Sequence, residues 1–175
     1  MNLILDKLHY FDTATFRWCI TRRYSDHLAM IGRWFSHVGD GLYYLVLGLA
    51  ILWLDKVSGK QFFTVGLIAF SMERPLYFIL KNTIKRARPQ DALNELVARL
   101  VPSDKFSFPS GHTAAGFVMA TLVTAFYPEF SVLAYTLASL IGFSRVLLGV
   151  HFPGDILAGA LLGICSACVA LSIAA

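Results

Sequence analysis

Two histidines, three cations and an aspartate stand at the ends of apolar runs in this sequence, at spacings that suit phosphoryl transfer. Lys81 and Arg88 lie seven residues apart, Ser110-Gly111-His112 closes a polar loop, and Arg145 is followed by His151 and, four residues later, Asp155. Breaking a phosphate ester needs dense positive charge, a nucleophile, and a proton donor for the departing alkoxide. Lys81, Arg88 and Arg145 supply the charge, arginine's planar fork being suited to bidentate contact with phosphoryl oxygens. The Ser110 hydroxyl and the Gly111 N–H add donors at a helix start, where unpaired backbone amides favour an anion. His151 is the better nucleophile, because Asp155 lies across a Pro-Gly turn and can hold one ring nitrogen protonated while the other keeps a free lone pair. His112 is left as the acid. This set calls for neither a metal nor an organic cofactor.

The elements that must position these groups are membrane helices. Of 175 residues, 57% are hydrophobic and only 15% charged, and the mean hydropathy is +0.62, too apolar for an ordinary soluble domain. The expected fold is an all-α integral membrane protein: a bundle of five or six transmembrane helices with N-terminal interfacial amphipathic helices, each crossing taking about 20 residues. The chain reads as one domain. Residues 1–37 form interfacial helices and residues 38–175 the transmembrane core, with an active-site loop at 89–111.

Up to about Arg33, aromatic and aliphatic residues mix with Arg17, Arg22, Arg23 and Arg33, as in helices lying in the membrane interface. Tyr24-Ser25-Asp26 reads as a break with a helix N-cap. A single crossing from Phe11 to Ile31 would have to bury Arg22 and Arg23, which is costly. The expected spans are Gly41–Leu54, extended by residues 38–40; Gln61–Leu80, continuing as helix to Arg86 and ended by Pro89; Thr113–Tyr127; Ser131–Phe143; and Asp155–Ile173. The loop after Pro89 carries Leu93, Leu96, Val97 and Leu100 on one face of a short amphipathic helix over Ala92–Val101. Glu73 and Arg74 fall inside the second span and should face the bundle interior and find partners there, either as a salt bridge that holds the bundle together or with Arg74 in a cationic stripe. Arg74 and Lys81 share a helix face, and Arg88 joins them if the helix runs that far. Counting crossings brings Lys81, Arg88, His112, Arg145, His151 and Asp155 out on one membrane face.

Three blocks, Lys81-x6-Arg88-Pro89, Pro109-Ser110-Gly111-His112 and Ser144-Arg145-x5-His151-x3-Asp155, resemble the signature of the type 2 phosphatidic acid phosphatase family. This is the membrane branch of a superfamily that includes bacterial acid phosphatases and vanadium haloperoxidases. The blocks fix about ten positions between Lys81 and Asp155. The resemblance implies a metal-independent phosphatase with a phosphohistidine at His151 and His112 as acid. It also implies lipid phosphate or diphosphate substrates and an active site on the outer face of a bacterial inner membrane. The positive-inside rule points the other way, because the N-terminal arginines and the Lys85-Arg86 region crowd the active-site side; the resemblance decides the expectation.

Candidate substrates are undecaprenyl diphosphate, phosphatidylglycerophosphate, phosphatidic acid and a lipid A phosphate. A lipid phosphotransferase and a non-catalytic lipid-binding membrane subunit are the alternatives. The net charge of +4 is uneven, with cations between Lys81 and Lys105 and none in the last 20 residues, which suits an anionic partner at one membrane face rather than nucleic acid. The partners expected are the lipid phosphate and the surrounding membrane lipids, and nothing in the sequence sets the oligomeric state. Cys165-x-x-Cys168 has redox spacing but sits in an apolar helix without cations, and reads as packing. Asp40 reads as a helix cap, and His9, His27 and His37 are assigned no role.

Overall fold

A computed structural model describes residues 3–20, 25–93, 100 and 104–174. The chain folds as α1 (Leu3–Ile20), α2 (Ser25–Val38), α3 (Gly41–Leu54), α4 (Gly59–Ile84), the short α5 (Pro89–Ala92), α6 (Gly111–Phe126), α7 (Ser131–Leu147) and α8 (Pro153–Ala174). A 3-10 turn over Pro128–Phe130 leads into α7. Among the described residues there is no strand.

Helix α6 lies at the centre, packed on α7, α8 and α4. It carries small residues, Ala114, Ala115, Gly116 and Ala120, that let its neighbours approach closely. Gly159 of α8 shows how closely: a Cβ there would lie 2.5 Å from the Ser110 carbonyl oxygen and 3.1 Å from Thr113 Cβ. The core joins Phe62, Val65 and Ala69 of α4 to Val118, Met119 and Leu122 of α6 and to Ala167 and Ala170 of α8. Outside it, Leu42, Trp53, Leu54, Ile79, Val132, Leu157, Leu161 and Ile173 are exposed, an apolar surface that a lipid solvent explains. Cys165 and Cys168 are exposed on this surface, whereas Cys19 is buried beside Phe16, Val146 and Phe152.

Three helical segments, Gly59–Ala92, Pro128–Leu147 and Pro153–Ala174, are long and apolar enough to cross a membrane. A fourth crossing results if Met30–Val38 and Gly41–Leu54, bent by 49° at their junction, are one broken span. Helix α6 is apolar but has only 16 residues, about 24 Å of helix against a hydrocarbon core of about 30 Å.

Several expectations need correction. Helix α4 ends at Ile84, not at Pro89: Lys85 takes a left-handed conformation at φ 49° and its N–H caps the helix on the Lys81 carbonyl. Arg88 is therefore not on the α4 stripe but is the extended residue before α5. Asp40 precedes α3, yet its side chain makes no capping bond. The amphipathic helix expected over Ala92–Val101 falls mainly outside the described residues, as do Arg22, Arg23, Tyr24 and the side chains of His9, Ser25, Asp26 and His27.

Candidate active site

The side chains expected to bind and transfer phosphate come from four helix ends and the loops beside them. Lys81 sits in the last turn of α4, and Arg88 follows the Lys85 reversal. Pro109, after a cis Phe108–Pro109 bond, leads into Ser110 and the start of α6. Arg145 is in the last turn of α7. Gly149 then turns the chain at φ 78°, a conformation that disfavours a side chain, and this turn brings His151 back beside the end it has just left. The Val150 N–H bonds to the Arg145 carbonyl at 3.2 Å.

One cavity of about 570 Å³ is lined by Lys81, Arg88, Gly111, His112, Arg145 and His151 at one end. Its far end is apolar, with Phe62, Phe63, Gly66, Leu67, Phe70 and Met119. Both histidines thus face one compartment. Ser110 is fully buried outside that lining; its hydroxyl accepts from Thr113 Oγ1 at 2.9 Å, and its N–H donates to the Asp155 carbonyl at 3.0 Å. Gly111 is where backbone meets the opposite wall: a Cβ would lie 3.0 Å from the Tyr77 ring.

Asp155 stands behind His151, fully buried, with Oδ2 3.5 Å from Nδ1. That is adjacent but short of a directed hydrogen bond, and His151 Nδ1 has no other partner among the described residues. The carboxylate is fixed by the Phe152 N–H at 2.9 Å and by Arg86 Nη1 at 2.8 Å. Burial pushes the His151 ring down to about 4, with the nearby Arg88 and Arg145 charges in the same direction and Asp155 opposing them. At neutral pH the ring is therefore uncharged and keeps a lone pair.

Four residues to which the sequence reading assigns no part in the site complete the arrangement. Asp104 binds two of the three cations expected as phosphate ligands: Oδ2 accepts from Lys81 Nζ at 2.9 Å and from Tyr77 Oη at 2.8 Å, and Oδ1 accepts from Arg88 Nη2. Burial raises the Asp104 carboxyl, but hydrogen bonds from Lys81 and Tyr77 and the Lys81 and Arg88 charges outweigh it and hold it below the usual carboxylate range. Asp40, expected as a cap, instead lies 3.0 Å from His112 Nε2, and His37 Nδ1 approaches its other oxygen at 3.4 Å. Arg86 bridges Asp155 and Asp12 of α1, the latter at 2.5 Å. Ser36 of α2 accepts from Arg145 Nη1. Each joins chain segments far apart in sequence; the one local hint was the cluster of charges around Pro89.

Arg88 is oriented further by Nη1 on the Val150 carbonyl at 2.6 Å and Nε on the Asp104 carbonyl at 3.0 Å. Lys81 Nζ also donates to Tyr77 Oη at 2.6 Å. The result is a ring of fixed donors beside two imidazoles, each with a carboxylate next to it.

Comparison with known proteins agrees with the motif reading. The profile of the PAP2 superfamily matches residues 59–175. Bacitracin transport permease protein BcrC of Bacillus licheniformis is 34% identical over 130 residues, 72% of this chain and 63% of its own, so the matched stretch spans less than two thirds of that relative. The crystal structure of Aquifex aeolicus LpxE superposes with a TM-score of 0.80 at 28% identity, covering 91% of this chain and 93% of the other. That of the first transmembrane PAP2-type phosphatidylglycerolphosphate phosphatase from Bacillus subtilis gives 0.75 at 28% identity, covering 95% and 86%. With its profile match running from α4 to the C-terminal helix and its charged helix ends around one cavity, this chain belongs to the PAP2 superfamily.

Proposed function

We propose that the protein is a membrane lipid phosphatase that hydrolyses a lipid phosphate or diphosphate through a phosphohistidine on His151. The observation that carries this reading is a cavity that both histidines share. At one end it holds two imidazoles and three cations, at the other an apolar lining, so it suits a molecule with a phosphate head and a hydrocarbon tail.

In the proposed cycle, phosphoryl oxygens take the Lys81, Arg88 and Arg145 donors that Asp104 and Ser36 hold when the site is empty. The neutral His151 ring attacks phosphorus, and Asp155 behind it stabilises the positive charge that develops on the ring. His112, with Asp40 beside it, gives a proton to the leaving oxygen. Water then cleaves the phosphorus–nitrogen bond, with His112 returning as base and inorganic phosphate leaving. The whole chain acts as one domain, with residues 38–175 as transmembrane core. We place the site on the outer face of a bacterial inner membrane, a placement supported by the family resemblance.

Phosphate release from purified lipids in detergent tests the reading. Stoichiometric release of inorganic phosphate is expected from the wild type, with losses of several orders of magnitude in His151→Ala and His112→Ala. Phosphate passed to a second lipid instead of water would mark a phosphotransferase. Undiminished function in His151→Ala would mark a lipid-binding subunit.

A further inference from the structure

The cavity holds one cation that the phosphoryl-binding set does not use. Arg74 lies on α4 seven residues before Lys81, lines the same cavity, and its side chain is 45% exposed while Glu73 beside it is fully buried. Its Nε donates to Glu73 Oε2 at 3.0 Å. Among the described residues this is its only hydrogen bond, so both Nη groups lack acceptors. Glu73 balances the charge without occupying those donors. With the guanidinium about half-exposed where it lines the cavity, those donors are available to an anionic group of the ligand.

The position of Arg74 along the cavity says which group. Tyr77 has Lys81 Nζ 4.5 Å from its ring centroid and Arg74 Cζ 5.2 Å from it. The two cations are therefore no farther apart than those distances laid end to end. Along α4, from the catalytic end inward, the cavity wall reads Lys81, Tyr77, Arg74, Phe70, Leu67, Phe63. A lipid with its terminal phosphoryl at Lys81 and Arg88 and its chain against Phe70, Leu67 and Phe63 has its next functional group beside Arg74.

We infer that Arg74 forms a subsite for a second phosphoryl group on the lipid side of the scissile one, so that the preferred substrates carry two phosphoryl groups in series. This rests on the lipid phosphatase reading. The second group comes either from a prenyl diphosphate or from the internal phosphodiester of a glycerol-linked lipid bearing a terminal phosphate. Phosphatidic acid, with one phosphoryl group, leaves Arg74 unanswered.

The test compares kcat/KM for a prenyl diphosphate, phosphatidylglycerophosphate and phosphatidic acid in the wild type, Arg74→Gln and Arg74→Lys. The double variant Glu73→Gln/Arg74→Gln leaves no buried carboxylate without its partner. Arg74→Gln and the double variant are expected to lower the preference for a two-phosphoryl substrate over phosphatidic acid by about tenfold or more, as for loss of a charge-assisted bidentate contact, with partial recovery in Arg74→Lys. Which of the two substrates loses most identifies the source of the second group. Equal losses on all three substrates, or none, would overturn the subsite. Binding of methylenediphosphonate and methylphosphonate to wild type and Arg74→Gln by calorimetry separates this from the parent reading. A wild type that releases no phosphate yet loses its diphosphonate preference with Arg74 fails as a hydrolase and keeps the subsite; an unchanged diphosphonate preference contradicts the subsite whatever the turnover.

Discussion

Each histidine of the pair has a carboxylate beside it, and in the proposed cycle the two carboxylates serve opposite ends of the reaction. Replacing Asp40 by Asn removes the charge next to His112 Nε2 without changing side-chain size. A fall in kcat of about 10- to 100-fold is expected, part of the roughly 10²–10⁴ that a positioned acid contributes, with KM little altered; steady-state kinetics on a monophosphate lipid would show it. For His151 the sign of the pH effect follows from burial. As the proposed nucleophile the ring must be neutral, and its affinity for a proton is pushed down to about 4, so activity is expected to persist through pH 6 and to be lost as pH falls through the region of 4. A kcat/KM profile corrected for the substrate's own ionisation would test this, and an acid limb at the ordinary imidazole value of about 6.5 would contradict it. Asp104 occupies Lys81 and Arg88, so under the proposed function it competes with substrate for them. Asp104→Asn should therefore tighten inhibition by inorganic phosphate by roughly tenfold, since a charge-assisted bond is worth about 1.5–3 kcal/mol, while lowering the melting temperature in phosphate-free buffer. That Lys81, Arg88, His112, Arg145 and His151 meet at one cavity, with Asp155 behind His151, was legible because their types and short-range spacings are tied to helix ends. Asp40, Asp104 and Arg86 were not, because what they do depends on partners 72, 23 and 69 residues away along the chain, which no local pattern encodes.

At the scale of elements, hydropathy located the helices well, since runs such as Gly41–Leu54 and Pro153–Ala174 can satisfy their backbone in lipid only as helices. The ends were harder to read. Pro89 looked like the stop of α4, but the left-handed Lys85 ends it first and sends Arg88 into a separate turn, where it meets the Val150 carbonyl. Arg86, between the two, ties α1 to α8 through Asp12 and Asp155. Cutting that tie with Arg86→Ala leaves two carboxylates without their cation, and a loss of about 3–5 kcal/mol is expected, as for one broken partner of a buried pair. Thermal unfolding in detergent should reveal it, with activity falling in parallel because Asp155 loses a fixed position. Gly159→Val would drive a side chain into the Ser110 carbonyl and displace the turn before His112, so it should lower both melting temperature and kcat.

At the scale of the whole molecule, the proposed function has a membrane lipid present its headgroup to helix ends while its chain stays among helices. Exposed Leu42, Trp53, Leu133, Leu157 and Ile173 mark the lipid-facing surface, and the apolar end of the cavity continues it inward along α3 and α4. Composition alone was enough to predict the membrane setting, but not that the second helix would join the third in a bent pair, because Gly39-Asp40-Gly41 reads equally well as the end of an interfacial helix. The account as a whole rests on a covalent bond between His151 and the substrate's phosphorus. Rapid mixing of the protein with a lipid carrying radioactive terminal phosphate, followed by an alkaline quench that preserves phosphoramidates, tests it most directly. A transient label on the protein is expected, approaching one phosphate per chain, mapped to the peptide containing His151, lost on acid treatment and absent in His151→Ala. Turnover by the wild type with no protein-bound label at any time within the first cycle, or a label that survives in His151→Ala, would contradict it.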